Sequence, residues 1–511
     1  MVSEQKIYLH SRFHKGNVSP LVFGGFLEHL GRAVYGGVFD PTSKHAGKDG
    51  LRSDVLNALE SLGMTIMRWP GGNFVSDYHW EDGVGPREQR PTVRNLAWTS
   101  MESNEFGTDE FLKLCEQMNW APMIACNLGT GSPEEARNWV EYCNFNGASR
   151  NAEMRRKNGR VDPYNVKYWC LGNEVDGIWQ IGHTSAEQYS NLARQLAHMI
   201  TGKFGTTRIE PIFVGSSSPN SPTYAEWDLR VLEEVGKLWK SFENHKKDNQ
   251  PAYISLHHYA ANDENNSEEY LATGVSIDRQ IQTIDSVCKY VQARLRLKSR
   301  FYLCFDEWNV WYKNRQWNGK DQFSPHLLEE VYNLEDALVV AQFLNSFIRH
   351  ADVVKIANIA QVVNVIAPIL TRGDKLLKQS IFYVFQLFSE FKAGISLDLA
   401  LEGPRYETKK YGAVDCIDSS AILNKLDRQL TLFLVNRSTE NDIPISVHAN
   451  SFHDLRLDGG IVLSHSDLKA ANSFDAPCKV VPQPYDAVSI VGDEVRFNMP
   501  QASFLRIILK F

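Results

Sequence analysis

Between Leu21 and Gln361 the chain alternates short apolar runs with amphipathic segments. The runs are mostly aliphatic and aromatic, which is typical of parallel strands buried on both faces. The segments between them carry apolar residues at helical spacing. Two segments begin with residues that favour a helix N-terminus, Thr108-Asp109-Glu110 and Ser132-Pro133-Glu134-Glu135, with Thr108 and Ser132 as the expected caps. The predicted strands are Leu21–Glu28, Met64–Trp69, Ala121–Asn127, Val166–Asn173, Pro211–Ser216, Ala252–Tyr259, Phe301–Glu307 and Val353–Gln361, and the predicted helices include Asp54–Leu62, Thr108–Met118, Pro133–Phe145, Ala186–Ile200 and Leu334–His350.

Eight strand-then-helix units in series predict parallel pairing with right-handed crossovers. Such units close into an α/β fold of the (β/α)₈ TIM barrel type. A doubly wound open sheet is the alternative, but no GxGxxG and no phosphate-cradling GKS follows any of the runs. The pattern therefore favours the barrel.

The pattern changes after about Glu390. Short alternating or apolar segments are separated there by clusters of Gly, Pro, Asp and Asn, which is typical of an all-β sandwich. A strand-like segment at Lys6–His10 precedes the barrel and is expected to join that sandwich. We therefore predict a barrel over residues 18–389 and a jelly-roll-like β-sandwich formed by residues 1–17 with 390–511. The predicted sandwich strands include Leu430–Asn436, Ile443–Ala449, Val480–Val481 and Phe504–Leu509.

Composition narrows the class of protein. The 511 residues include 54 basic and 61 acidic ones, a net charge of −7, which argues against a nucleic-acid partner. Met1–His10 lacks the features of a signal peptide, and no stretch approaches 18 apolar residues, so no membrane association is expected. The eight cysteines are scattered without CxxC spacing. These features together predict a cytoplasmic protein.

Two glutamates stand at strand tips where parallel barrels keep their chemistry. Glu174 ends the string Leu171-Gly172-Asn173-Glu174 after the fourth run, and Glu307 lies in Asp306-Glu307-Trp308-Asn309 after the seventh. A carboxylate pair of this kind hydrolyses glycosidic bonds, one as acid/base and the other as nucleophile. A separation of ~5 Å predicts retention of anomeric configuration and ~6.5–9.5 Å predicts inversion.

Other strand tips carry polar residues that are expected to face the same pocket. Period-two alternation places His257 and Tyr259 on one side of the sixth strand and His258 on the other. Arg68 is expected to pair either with the nucleophile carboxylate or with Glu28, and both remain open. The remaining tips end in Glu28-His29, in Arg68-Trp69-Pro70-Gly71-Gly72-Asn73 and in Gln361.

The double histidine also raises a metal site as an alternative. The chain has no HxH after the first strand, no HExxH and no second histidine pair at a strand end. We therefore expect no catalytic metal and no cofactor.

These motifs together resemble glycoside hydrolase family 51, the α-L-arabinofuranosidases of a large clan of retaining barrel enzymes. Asn-Glu at strand four and Glu at strand seven are shared by the clan, whereas the other strings narrow the resemblance to the family. The strings are Phe26-Leu27-Glu28-His29, Met67-Arg68-Trp69-Pro70-Gly71-Gly72-Asn73, Glu102-Ser103-Asn104-Glu105-Phe106-Gly107, Leu171-Gly172-Asn173-Glu174 and Phe305-Asp306-Glu307-Trp308-Asn309.

The resemblance implies a retaining, exo-acting α-L-arabinofuranosidase with Glu174 as acid/base and Glu307 as nucleophile. It implies that Arg68 supports the nucleophile and that Trp98 and Trp179 shape the pocket or the aglycone side. The substrate would be an arabinose-containing oligosaccharide from arabinan or arabinoxylan, and the protein would be a homo-oligomer, as a hexamer. The other residues expected to bind the substrate are Glu28, Asn73, Asn173, His257, Tyr259 and Gln361.

Two other functions remain open at this point. An endo-acting β-1,4-glucanase or xylanase is an activity also assigned within the family, and it would need an open cleft. A non-catalytic sugar-binding protein would keep the fold without turnover, although both glutamates are present.

Overall fold

The computed structural model describes residues 3–201, 208–244, 251–316 and 319–511. Its strands as far as residue 378 are β1 (Gln5–Leu9), β2 (His14–Asn17), β3 (Gly24–Phe26), β4 (Ile66–Trp69), β5 (Val93–Asn95), β6 (Ser100–Glu102), β7 (Ala121–Ala125), β8 (Tyr168–Leu171), β9 (Glu210–Phe213), β10 (Ala252–Ala260), β11 (Phe301–Val310), β12 (Val354–Ala360), β13 (Ile369–Arg372) and β14 (Lys375–Lys378). The later strands are β15 (Ile395–Leu397), β16 (Ala400–Glu402), β17 (Arg405–Thr408), β18 (Gly412–Asp415), β19 (Ile417–Asn424), β20 (Gln429–Asn436), β21 (Ile443–Ala449), β22 (Arg456–Leu463), β23 (Gln483–Pro484), β24 (Val488–Val491), β25 (Glu494–Met499) and β26 (Ser503–Lys510). The α-helices are α1 (Ser53–Ser61), α2 (Thr108–Met118), α3 (Pro133–Asn144), α4 (Arg150–Lys157), α5 (Ala186–Ile200), α6 (Glu226–Asn244), α7 (Ser267–Leu271), α8 (Gly274–Leu295), α9 (Leu334–Arg349) and α10 (Ser380–Ser389).

The predicted barrel is confirmed. Eight strands close in the order β3-β4-β7-β8-β9-β10-β11-β12, and every neighbouring pair is parallel. Each predicted apolar run overlaps one of these strands. Because the strands are parallel, their carboxyl ends all open on the same face of the barrel.

The predicted helices form, and their starts show which local signals were sufficient. Ser132 caps α3 by accepting a hydrogen bond from the backbone N–H of Glu135, with Pro133 in the first turn, as the sequence predicts. The prediction that Thr108 caps α2 was wrong, because the extended residue Gly107 holds the cap position and Thr108 is already helical. Thr108 Oγ1 instead accepts a hydrogen bond from Trp139 Nε1 at 3.1 Å, a contact between helices that local sequence does not reveal.

The barrel interior is filled by side chains from alternating positions of its strands. A compact buried cluster there combines aliphatic residues with small thiols such as Cys170 and Cys304. These thiols act as small apolar groups, since all eight cysteines are free and seven are buried.

Two further sheets, formed mainly by residues after the barrel, share one apolar core. The five-stranded sheet has the order β16-β1-β21-β25-β24, and the seven-stranded sheet has the order β2-β15-β19-β20-β26-β22-β23. The N-terminal strand β1 pairs in parallel with β21, so the predicted addition of this strand to the sandwich is confirmed. The predicted strand at Val480–Val481 was wrong, because Val480 is buried in a loop and its N–H donates to Asn472 Oδ1.

The sheets pack directly on the barrel through α9 and α10. Asn345 of α9 donates to Asp418 Oδ2 at 2.7 Å and accepts from Ser420 Oγ at 2.7 Å. Phe388 of α10 stacks on Phe433 with ring centroids 4.1 Å apart. In the described ranges, no helix has the length and apolarity that crossing a membrane requires.

Candidate functional site

The two glutamates meet at the carboxyl-terminal mouth of the barrel. A carboxylate oxygen of Glu174 and one of Glu307 lie within 4.8 Å of each other, with a nitrogen of His257 in the same group. Glu174 follows β8 on a tight turn, in which Gly172 has a φ of 103° that favours glycine and Glu174 itself has a φ of 45°. This turn directs Glu174 towards the strand that carries Glu307.

Glu307 is held by interior groups on both of its oxygens. Arg68 donates to Oε1 at 2.7 Å, and the Tyr259 hydroxyl donates to Oε2 at 2.9 Å. A side chain on Gly72 would place its Cβ 2.6 Å from Oε1, so only glycine leaves room for the carboxylate. These contacts therefore hold the Glu307 carboxylate in one position.

Arg68 resolves the alternative that the sequence left open. Its guanidinium binds Glu307 and not Glu28, and it also donates to Asn173 Oδ1 at 2.7 Å and approaches Asp306 at 3.3 Å. Burial opposes its charge, but Asp306 and Glu307 raise the pKa of Arg68 further above its usual range. Arg68 is thus a permanent buried cation that contacts the Glu307 carboxylate.

Glu174 has a different set of partners. Trp179 Nε1 donates to its Oε2 at 2.8 Å, and His257 Nδ1 lies 2.8 Å from its Oε1. Trp179 is 56% exposed, so this side of the site faces solvent. Glu174 therefore lies between the buried His257 and the solvent-exposed Trp179.

His257 faces three carboxylates. Its Nδ1 lies 2.8 Å from Glu174 and 3.6 Å from Glu307, and its Nε2 lies 3.3 Å from Asp306. Burial alone would lower the pKa of His257, but Glu307 and Asp306 raise it well above its usual value. The spacing of Glu174, His257 and Glu307 would suit a cation, and the same imidazole also lies within hydrogen-bond or ion-pair distance of each carboxylate.

Glu28, at the tip of the first barrel strand, forms another wall of the pocket. Its Oε1 accepts hydrogen bonds from Phe74 N at 2.9 Å and from Trp98 Nε1 at 3.0 Å, and its Oε2 accepts from Gln361 Nε2 at 3.0 Å. Burial, helped by the charge of Glu307, raises the pKa of Glu28 to about 7. Gln361 in turn accepts from the Glu28 backbone N–H at 2.9 Å, which ties the first and eighth barrel strands together.

The remaining residues named from the sequence also reach the mouth of the barrel. Asn173 Nδ2 lies 3.5 Å from Asn73 Oδ1, which places both amides beside the glutamates. His258 lies on the other side of its strand, where it contacts Gln280, and burial lowers its pKa to about 4. The structure thus places the eleven residues predicted to be catalytic or substrate-binding at the carboxyl-terminal mouth of the barrel.

Comparison with known proteins agrees with this site. The family profile of the alpha-L-arabinofuranosidase 1 domain matches residues 58–270, and that of the alpha-L-arabinofuranosidase C-terminal domain matches residues 306–503. An intracellular exo-alpha-(1->5)-L-arabinofuranosidase of Acetivibrio thermocellus is 41% identical, covering 90% of this chain and 90% of that protein. An exo-alpha-(1->6)-L-arabinofuranosidase of Bifidobacterium longum is 37% identical, covering 100% and 98%. The solved structure of AbfB, a family 51 alpha-L-arabinofuranosidase from Bifidobacterium longum, superposes with a TM-score of 0.91 at 32% identity over 99% of this chain and 100% of that one.

The chain belongs to glycoside hydrolase family 51. It is a glycoside hydrolase with the barrel and C-terminal β domain of that family. Two further residues at or beside the site, Asp306 and Glu102, were not predicted from the sequence to be catalytic or substrate-binding.

Asp306 is the first of them. Burial would raise its pKa, but Arg68 and His257 lower it to about 2, so it is a fixed anion that orients both cations. Strict alternation would turn Asp306 away from the pocket if Glu307 faces it. The registers of β11 with both of its neighbours shift at this point, and such a bulge lets both side chains face inwards. The sequence offers no local signal for that bulge.

Glu102 is the second. It lies in the Glu-Ser-Asn-Glu-Phe-Gly string of the family, but it does not contact the two catalytic candidates. It accepts a hydrogen bond from His29 Nδ1 at 2.8 Å and others from the Tyr35 hydroxyl and from Asn104 N. Trp69 Nε1 donates to the other nitrogen of His29 at 3.0 Å. The string therefore holds the backbone beside Glu28 in place.

Proposed function

We propose that this family 51 chain is a retaining, exo-acting α-L-arabinofuranosidase. The observation that carries the proposal is the approach of Glu174 and Glu307 to within 4.8 Å. Carboxyl groups about 5 to 5.5 Å apart support a covalent intermediate, whereas a separation of about 6.5 to 9.5 Å leaves room for a water molecule and gives inversion.

In the proposed first step Glu307 attacks the anomeric carbon of the arabinofuranoside. Arg68 and Tyr259 fix the orientation of its carboxylate by two hydrogen bonds, as a nucleophile requires. Glu174 protonates the leaving oxygen, and the 2.8 Å contact with His257 orients its carboxyl group. The products of this step are the free alcohol and an arabinosyl ester of Glu307.

In the second step Glu174 acts as base on a water molecule. The water attacks the anomeric carbon of the ester, the bond to Glu307 breaks, and L-arabinose leaves with its original configuration. Two inversions at the same carbon give net retention.

The pocket suits one terminal furanose. Glu28, Asn73 and Asn173 offer amide and carboxyl groups to its hydroxyls, and Trp98 and Gln361 fix Glu28. We place Trp179 on the aglycone side, because it is exposed and touches the acid/base. Since this pocket closes at Glu28, internal positions of a polymer would not fit.

We propose arabinose-containing oligosaccharides from arabinan or arabinoxylan as substrates, with no cofactor and in the cytoplasm, as the name "intracellular" of the A. thermocellus relative suggests. Residues 18–389 would form the catalytic domain, and residues 1–17 with 390–511 the accessory domain. By likeness to the family we also propose a homo-oligomer, as a hexamer. Sedimentation equilibrium tests this, because a hexamer has six times the mass of one chain.

The test of function is hydrolysis of an aryl α-L-arabinofuranoside, followed by proton NMR during the first turnovers. We expect α-configured L-arabinose to appear first, and carboxymethyl cellulose and xylan to remain uncut. A β-configured first product would disprove retention. Cleavage of the polymers with no action on the aryl glycoside would favour the endo-acting alternative, and binding of arabinose without turnover would favour a sugar-binding protein.

A further inference from the structure

A hairpin after the second barrel strand reaches into the pocket. Strands β5 and β6 pair antiparallel, and Trp98 at the turn between them donates to Glu28 Oε1 at 3.0 Å. The backbone N–H of Trp98 is bound by Asn95 Oδ1 at 2.8 Å, and the N–H of Leu96 by Asp77 Oδ2 at 3.3 Å. The position of Trp98 against Glu28 therefore depends on the position of this hairpin.

The hairpin is fastened to a loop from the other side of the barrel mouth. Asp321 N donates to Thr99 O at 2.7 Å, Met101 N donates to Gln322 O at 3.0 Å, and Arg94 Nε binds Asp321 Oδ1 at 2.6 Å. Met101 and Phe323 also form an isolated parallel β-bridge. We call residues 93–102 together with 321–323 the mouth bridge.

The topology places the mouth bridge over one particular part of the pocket. Its two halves follow the second and seventh barrel strands, and the eighth and first strands lie between these in the closed barrel. Those two strands carry Gln361 and Glu28 at their tips. The mouth bridge thus crosses the rim above Glu28, on the side away from Trp179.

The backbone at the contact indicates that the connection is specified by the fold. Thr99 has a φ of 52° and Asp321 a φ of 56°. This left-handed region is uncommon for residues other than glycine and is most unfavourable for a β-branched residue such as Thr99. Such a conformation persists only where surrounding contacts outweigh its cost, and it is frequent at functional sites.

We propose that the mouth bridge is the specificity-determining wall that restricts the pocket to a single terminal sugar. This inference rests on the exo action proposed above and assigns it to a contact between two loops. While the bridge is closed, a chain cannot continue past Glu28 and Gln361. When it is broken, a glycone of two sugars enters and the bond after the second sugar is cut.

The experiment compares two substrates, an aryl α-L-arabinofuranoside and the aryl glycoside of α-1,5-arabinobiose. The variant is Asp321→Pro, because proline lacks the N–H that binds Thr99, cannot adopt a φ of 56° and removes the partner of Arg94. We expect the variant to release intact arabinobiose, which the unaltered protein never does. KM for the monosaccharide substrate should rise roughly tenfold, as expected when one hydrogen-bonded group of a pocket loses its position.

If Asp321→Pro does not fold, Met101→Pro replaces it, because proline removes the N–H that binds Gln322 O on the other side of the bridge. Arg405→Ala is the matched control, because Arg405 and Asp415 form a similar pair that is 56% and 45% exposed, against 45% and 47% for Arg94 and Asp321. A folded bridge variant that releases only arabinose overturns the inference. An unaltered protein that leaves the aryl arabinofuranoside intact would instead reject the proposed function.

Discussion

Glu307 and Glu174 lie in one pocket but in contrasting surroundings. The partners of Glu307 are the buried Arg68 of β4, three strands away around the barrel, and the Tyr259 hydroxyl of the neighbouring strand β10. The partners of Glu174 are a histidine and an exposed tryptophan that lies five residues further along its own loop.

The contrast matches the two roles proposed for these glutamates. A guanidinium remains charged at every working pH, so Arg68 offers Glu307 a permanent positive partner. The neighbour of Glu174 is instead the imidazole of His257, whose Nδ1 lies 2.8 Å from its carboxyl group. The two carboxylates thus have different partners, although an oxygen of Glu174 and one of Glu307 lie within 4.8 Å of each other.

The largest expected effect comes from removing the carboxylate of Glu307, the proposed nucleophile. Glu307→Ala should lower kcat by a factor on the order of 10⁴, because no covalent intermediate can form. Azide should partly restore turnover and give the β-glycosyl azide, since it fills the space that the carboxylate leaves. Product analysis by NMR checks this, and an α-configured azide would assign the nucleophile to another residue.

Removing the carboxyl group of Glu174, the proposed acid/base, should affect natural and activated substrates to different extents. Glu174→Ala should lower kcat/KM for natural oligosaccharides by about 10² to 10⁴, the usual range for general acid catalysis. Aryl glycosides with good leaving groups should lose far less, because they leave with little protonation. Steady-state kinetics on both substrate types gives the answer, and equal losses would remove Glu174 from the acid role.

Glu28 tests how far the charge of Glu307 reaches. Its pKa of about 7 lies above the 4.5 of an unperturbed glutamate, so the folded protein binds this proton more tightly than the unfolded chain. The resulting stability is present below pH 4.5 and is lost as the pH rises through 7. Between pH 5 and pH 8 the group should therefore cost up to about 3 kcal/mol of unfolding free energy, and Glu28→Gln should abolish that part of the pH dependence.

Urea unfolding of the unaltered protein and of Glu28→Gln at both pH values measures this difference. The exposed Glu60 of α1 offers a control, since Glu60→Gln removes a carboxyl group without touching the pocket. Equal pH dependence in Glu28→Gln and in the unaltered protein would show that Glu28 is ionised throughout the range.

The smallest effect on kcat/KM is expected at Trp179, the exposed partner of Glu174. Trp179→Phe keeps an aromatic ring but removes the N–H that binds Glu174. Because the indole is 56% exposed, water can partly replace it, and kcat/KM should fall only about fivefold. Tyr290→Phe, at a tyrosine of α8 that is 54% exposed, is the control. A loss as large as that of Glu174→Ala would mean that Trp179 itself positions the acid.

The apolar pattern was sufficient for the barrel because each strand is buried on both faces. A run of apolar residues is then the direct consequence of burial and is visible in one sequence. Capping was predictable at Ser132, where the cap residue and its partner are three residues apart, and it failed at Thr108, where a tryptophan of another helix captures the hydroxyl. Val480 shows the same limit, since its burial depends on Asn472 and not on a sheet.

The sequence by itself determined which carboxylates and amides stand at the tips of the strands, because a side chain's place along a strand follows from local periodicity. Only the tertiary structure decided their distances and partners. Closure of the barrel brings Arg68 to Glu307 across 239 positions of the chain, a bulge turns Asp306 inwards, and the mouth bridge joins Arg94 to Asp321 across 227 positions. Contacts between residues so far apart depend on how all the intervening elements pack, and no local pattern encodes that packing.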